Sequence, residues 1–202
     1  MLTVETDPVA VEQRLGSGRL VCPGCSGVLA RWGHARGRRV RDTEGGLWIV
    51  PRRARCTGCG ATHVLLPVLL LVRRADIAAV IGAGLTAKAT GAGHRLIAAL
   101  LGRPPGTVRG WLRRFSERVE AVRAVFTRWC RALAPDPVLP GPAGSAWADA
   151  LAAILAAAAA LAARFCIGEV PAWLAATAIS AARLLSPGWP SPDARSLSLI
   201  HI

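Results

Sequence analysis

Six cysteines occur in this 202-residue chain, and four fall in two close pairs, Cys22-Pro-Gly-Cys25 and Cys56-Thr-Gly-Cys59, with 30 residues between them. Two C-x-x-C pairs are the ligand set of a tetrahedral zinc site, in which glycine lets each turn curl around the metal. A redox C-x-x-C would sit in a βαβ pattern, which the flanking sequence lacks. The expectation is one structural Zn(II) on Cys22, Cys25, Cys56 and Cys59, closed to water and without a catalytic role. His34 or His63 could replace a thiolate, but with four cysteines available both read as surface or hairpin histidines, and Cys130 and Cys166 read as small apolar residues on helical faces.

The second chemistry is that of arginine. Lys and Arg number 25 against 12 Asp and Glu, a formal charge of +13, and Lys88 is the single lysine. A GC-rich genome enriches Arg, Ala, Gly and Pro, but it does not explain the placement. Residues 1–133 hold 22 basic and 8 acidic groups, a net +14, whereas 134–202 hold 3 and 4. Charge gathered in one half favours a polyanionic partner.

Within that half, residues 94–115 read HRLIAALLGRPPGTVRGWLRRF. A small Ala98 lets two helices cross closely, Gly102 can take the left-handed turn, and Pro105 suits a first helical turn. Val108, Trp111, Leu112 and Phe115 then form one apolar stripe. This is helix-turn-helix spacing, with Ile77, Val80, Ile81 and Leu85 of residues 76–89 marking a first supporting helix. The opposite face carries Thr107, Arg109, Gly110, Arg113 and Arg114. Arg109 and Arg113 are expected to read bases and Thr107 to do so more weakly; Arg114, Arg103, Arg95 and His94 suit phosphate contacts. Gly110 reads equally as close approach to DNA or as compositional drift.

These groups need a scaffold. Residues 28–41 and 47–55 flank Asp42-Thr43-Glu44-Gly45-Gly46, a hairpin with its turn, and Pro67 interrupts the apolar run 64–72 as a strand and its connector would. Beyond Val108, apolar residues continue at Leu112, Phe115, Val119, Val122, Phe126, Trp129 and Leu133, a heptad seam. The seam suits either homodimerisation through 108–133 or packing on an Ala-rich helix over 147–165, and Ser116 could start a separate helix. A further helix spans 171–185. The expected class is α+β, a small β zinc ribbon followed by a mostly α-helical part with a tri-helical helix-turn-helix and C-terminal helices. Its pieces are an N-terminal segment 1–19, a ribbon 20–67, a helical unit 74–133, a Pro/Gly linker 134–146, an Ala-rich hairpin 147–186 and a disordered tail 187–202. The final SLSLIHI resembles translated sequencing-adaptor read-through.

The N-terminus lacks a basic region before an apolar run, so no secretory signal is expected and the cytoplasm is the expected compartment. The 14 uncharged residues between Asp149 and Arg164 fall short of the roughly 20 of a spanning helix, so no membrane segment is assigned.

The CPGC knuckle, the basic hairpin, RRARCTGCGATHVLLP and the 94–115 segment together resemble an uncharacterised zinc-ribbon plus helix-turn-helix family of high-GC bacteria over residues 20–185. Over 20–120 they are similar to the N-terminal DNA-binding part of insertion-sequence transposases. The resemblance implies zinc at the four paired cysteines and DNA contact around Arg109. It stops where catalysis would lie: Glu117, Glu120, Asp136, Asp149, Glu169 and Asp193 are scattered, without strands to gather them into a two-metal nuclease site. The expectation is thus a non-enzymatic, zinc-stabilised protein of double-stranded DNA, in the cytoplasm at the nucleoid. It would be a regulator or a non-catalytic transposase-like recognition protein, without a small-molecule substrate. Its rivals are a protein-interaction adaptor and a truncated transposase.

Overall fold

The computed structural model describes residues 1–190; the expected tail over 191–202, with its adaptor-like end, lies outside them. The described chain is α+β. It comprises β1 (Leu2–Val4), α1 (Pro8–Gly16), β2 (Leu29–His34), β3 (Arg38–Arg41), β4 (Gly46–Ile49), β5 (Arg52–Cys56) and β6 (Thr62–Pro67), followed by α2 (Ala78–Ala89), α3 (His94–Leu101), α4 (Pro105–Ser116), α5 (Val119–Leu133), α6 (Ala146–Phe165) and α7 (Ala172–Ile179). A mixed sheet runs in the order β1-β6-β5-β2, and β3 and β4 form a second, two-stranded sheet.

The expected hairpin is present in two tiers. The inner tier pairs Arg38 with Ile49 and Arg41 with Gly46 around the Asp42 turn, and the outer pairs Leu29 with Cys56. A bulge between Arg31 and His34 lies within the outer tier; such an extra residue bends a strand and re-aims the residues beyond it.

Residues 1–19 are not a separate segment. β1 adds in parallel to β6, with Leu2 opposite Leu65. α1 starts where the Asp7 carboxylate accepts the Val9 N–H at 2.9 Å and Pro8 presets the first turn. It lays Val11 and Leu15 on the sheet, in one cluster with Leu20, Cys22, Leu29, Ala54 and Cys56. Arg31 and Arg52 both reach Glu12, at 2.9 and 2.6 Å, fixing the helix across the strands.

The heptad stripe does not run through one helix. Arg118 leaves helical geometry (φ −133°, ψ 11°), so α4 and α5 are separate. Val122, Val125 and Phe126 are buried in one cluster with Ala150, Ile154 and Ala157 of α6, while Cys130 and Leu133 pack with Ala158 and Leu161. The alanine face lets α6 approach closely, and the α5 part of the stripe packs on it within this chain. Nor does the Pro/Gly linker divide two cores. The Trp147 indole donates to the Leu85 carbonyl at 3.0 Å and lies 4.8 Å from the Phe115 ring. A Cβ on Gly82 would fall 2.0 Å from the Trp173 ring, so glycine there admits α7. Helix α7 ends at Ile179, short of the expected 185, because Ala181 and Ala182 take left-handed backbone (φ 48° and 61°). Trp189 is buried, so order continues past the expected start of the tail.

Helix α6 is longer than its uncharged run suggested. At 20 residues and mean hydropathy 1.8, it is the one helix among the described residues long and apolar enough to cross a membrane. Its buried side packs on α5 as a core helix of a soluble protein would.

Candidate metal centre and nucleic-acid interface

The two C-x-x-C turns fold alike. After the second cysteine of each, Ser26 (φ 60°) and Gly60 (φ 73°) take left-handed backbone, and the Ser26 and Gly60 N–H groups return to the carbonyls of Cys22 and Cys56. The β2–β5 pairing brings the turns together. All four Sγ atoms lie within 4.8 Å of one another. Cys22 and Cys59 are 3.8 Å apart and Cys25 and Cys56 3.4 Å, too far for disulfides of about 2.05 Å. A tetrahedron with metal–sulfur bonds of about 2.3 Å has edges of about 3.8 Å, so the set fits one four-coordinate ion. A Cβ on Gly27 would come 2.9 Å from Cys56 Sγ, so glycine keeps this space open.

The thiols differ. N–H groups of Cys59 and Gly58 point at Cys56 Sγ from 3.4 and 3.3 Å. The Cys59 N–H above all, assisted by Cys25 and Gly58, pulls the Cys56 pKa down to about 6 despite desolvation. Cys25 is pushed up to about 12: the Gly27 N–H lowers it, but the shared thiols of Cys56 and Cys59 outweigh that.

His63 is not on the surface. It is a buried residue of β6, with Nε2 3.4 Å from Cys22 Sγ. Desolvation and the nearby N-terminal charge lower its pKa. Strand register carries it there, since His63 stands opposite Ala54 on the cysteine side of the sheet. His34 is exposed beside Arg52. Cys130 is buried, and burial raises its pKa. Cys166 is not core: it caps α6 in left-handed conformation and is exposed.

The helical face begins at Gly102, which ends α3 at φ 61°, ψ 40°; Pro104 and Pro105 start α4. Val108, Trp111, Leu112 and Phe115 are buried, as the stripe required, and Ile97 and Ala98 of α3 meet them. Arg95, Arg109 and Arg113 are exposed, while His94, Thr107, Gly110 and Arg114 are half-buried. Among the described residues Arg113 pairs only with the exposed Glu117, at 3.8 Å.

Gly110 has a local explanation. The Arg114 guanidinium folds back to donate to the Gly110 carbonyl at 2.9 Å, and a Cβ there would lie 2.9 Å from Arg114 Nη1. Arg118 in turn donates to the Arg114 carbonyl. Arg74 joins them: its Nη2 holds the Leu185 carbonyl, and its buried Nε has no partner among the described residues. Burial first, then the charges of Arg114 and Arg118, lower the Arg74 pKa. None of these three arginines makes an ion pair among the described residues. Arg118 was legible as the residue one turn beyond Arg114, whereas nothing in the sequence pointed to Arg74.

Arg103 does not belong with the phosphate candidates. Its side chain is 11% exposed and held at 2.5 Å by Asp76, with a second bond to the Asp42 carbonyl at 2.6 Å. Asp76, 2% exposed, also takes Arg41 at 2.6 Å. A buried carboxylate needs such partners, and this one joins the inner hairpin to the α3–α4 turn.

A cleft of about 400 Å³ between α1 and β4 is lined mainly by apolar residues such as Val11, Trp48 and Leu65. Its carboxylates, Glu5 and Glu12, are committed to Arg14, Arg31 and Arg52. No family model matches the chain, and no curated protein and no solved structure does.

Proposed function

We propose that this is a zinc-stabilised, non-enzymatic DNA-binding protein in which α3, its turn and α4 act as a helix-turn-helix, with α4 in the major groove. The observation that carries the reading is α4 itself. One side is buried and the other presents Arg109 and Arg113, flanked by the Arg74, Arg114 and Arg118 guanidinium groups, which have no carboxylate partner among the described residues. Arg109 and Arg113 suit bidentate bonding to guanine, with Thr107 a weaker reader. Arg95, His94, Arg114, Arg118 and Arg74 suit phosphates.

Zinc is the metal that four thiolates at tetrahedral spacing favour, and six cysteines without a disulfide among them suit the cytoplasm. The four cysteines are the only metal-capable cluster among the described residues, which favours recognition over two-metal nuclease chemistry. The role is that of a regulator or of a transposase-like end-recognition protein without the catalytic domain, as the resemblance over residues 20–120 suggests.

Selection from a random duplex library tests the reading. The expected result is an enriched, guanine-containing motif. Arg109→Ala then costs about 1–3 kcal/mol and relaxes the preference, while Arg114→Ala weakens all sequences alike. With about six phosphate contacts, log K falls against log salt with a slope near −5. A flat salt dependence would sink the proposal.

One observation favours the adaptor instead. Leu96 and Leu100, one turn apart on α3, are 56% and 70% exposed. Stable protein complexes formed without nucleic acid and lost on Leu100→Ser would support that reading.

A further inference from the structure

The sheet that carries the cysteines has two sides, and the second is covered only toward the end of β6, where Leu66 packs into the helical body. Leu29, Ala54, Cys56 and Leu65 point toward α1 and the metal cluster and are buried. Side chains alternate along a strand, so their neighbours face the other way. Pairing aligns Ala30 with Arg55, Arg55 with Thr62, and Arg53 with Val64. Ala30, Trp32, Arg55 and Thr62 on this side are exposed and Arg53 and Val64 are half-buried, and five of the six residues of β2 are exposed.

Trp32 is 48% exposed. The Arg55 guanidinium lies 4.8 Å from its ring centroid and is steadied by a bond from Nε to the Gly60 carbonyl. Neither Arg53 nor Arg55 makes an ion pair among the described residues, and no acidic residue lies on this side of β2, β5 or β6. Glu12 belongs to the opposite side, where Arg31 and Arg52 hold it. A half-exposed indole beneath one arginine and near another, on an acid-free sheet face, fits a flat aromatic group attached to an anion. Single-stranded nucleic acid is such a ligand: bases stack on tryptophan and arginine takes the backbone phosphates.

We propose that the outer face of β2, β5 and β6 is a second nucleic-acid surface, which takes an unpaired DNA strand by stacking a base on Trp32 and holding adjacent phosphates with Arg53 and Arg55. The surface is separate from α4. It would engage DNA that is frayed or opened, which a helix in the major groove does not read.

The test uses the full zinc-loaded chain, a 12-nucleotide oligothymidylate and a duplex containing the selected motif, with affinities read by fluorescence anisotropy. Trp32→Ala is expected to weaken oligothymidylate binding about 5- to 150-fold, as the loss of one stacked base implies. Trp32→Phe retains most of the affinity, and duplex binding stays within about twofold. Arg109→Ala does the reverse, so a failure of the α4 reading is distinguishable from a failure here. Unchanged oligothymidylate binding by Trp32→Ala overturns the proposal. So does equal loss of both DNA forms, or displacement of the oligonucleotide by poly-aspartate of equal charge as effectively as by unlabelled oligothymidylate.

Discussion

The sheet module and the helical body bury very different amounts of apolar surface. Ten residues form the sheet's own cluster, and two of them, Cys22 and Cys56, belong to the four-cysteine group. The main helical cluster has 29, among them Phe115, Phe126, Trp111 and Ile154. A core of ten small and medium side chains offsets little of the entropy of ordering some seventy residues. The helical body can stand on apolar burial, whereas the sheet is expected to depend on the ion that its four thiols could hold. Where a core is small, a few bonds of high energy replace many weak contacts.

The largest expected effect breaks that contrast directly. Cys56→Ser, or a strong chelator, should unfold residues 20–67 while the helices persist. Hydrogen exchange would show protection lost in the strands and kept in α5 and α6, and simultaneous loss in both regions would show that the body has no stability of its own. The thiols add a corollary. With Cys25 held near 12, it is protonated at neutral pH, so metal uptake must release protons and weaken as pH falls. An indicator dye in dilute buffer measures the release.

Phe126→Ala should be the mirror image. The side chain is fully buried, and its loss costs about 3–5 kcal/mol through transfer and cavity terms. Denaturant unfolding followed by far-ultraviolet circular dichroism reads that cost, while metal stoichiometry remains unchanged.

Asp76→Ala sharpens the comparison at the join. Removing the carboxylate leaves Arg103, 11% exposed, without its partner, a change that costs about 3 kcal/mol. The two regions should then melt in separate transitions where the parent melts in one.

Gly110→Ala is the smallest effect. The added Cβ meets only the flexible end of Arg114, so helix propensity dominates and stability rises by up to about 1 kcal/mol. Displacing that guanidinium should weaken duplex binding alike on all sequences.

Local patterns carried much of this structure. The cysteine pairs, the Gly102 turn and the stripe from Val108 to Phe115 depend on neighbours within one turn or one knuckle, so spacing revealed them. The Asp42 turn was legible for the same reason. The place of residues 1–19 was not legible, because three residues of β1 show no periodicity of their own; the value of Leu2 and Val4 lies in a partner strand some sixty positions away.

The sequence by itself determined which residues could bind a metal, where the helices reverse, and that the positive charge is gathered before residue 134. Tertiary structure decided which charges remain available. Arg103 and Arg114 look alike on paper, yet Asp76 claims the first and leaves the second beside two more arginines. It also put His63 against Cys22 and covered the heptad seam with α6. The reason is physical: a side chain's free energy depends on solvation and charge partners, and both are set by residues that only the fold brings near.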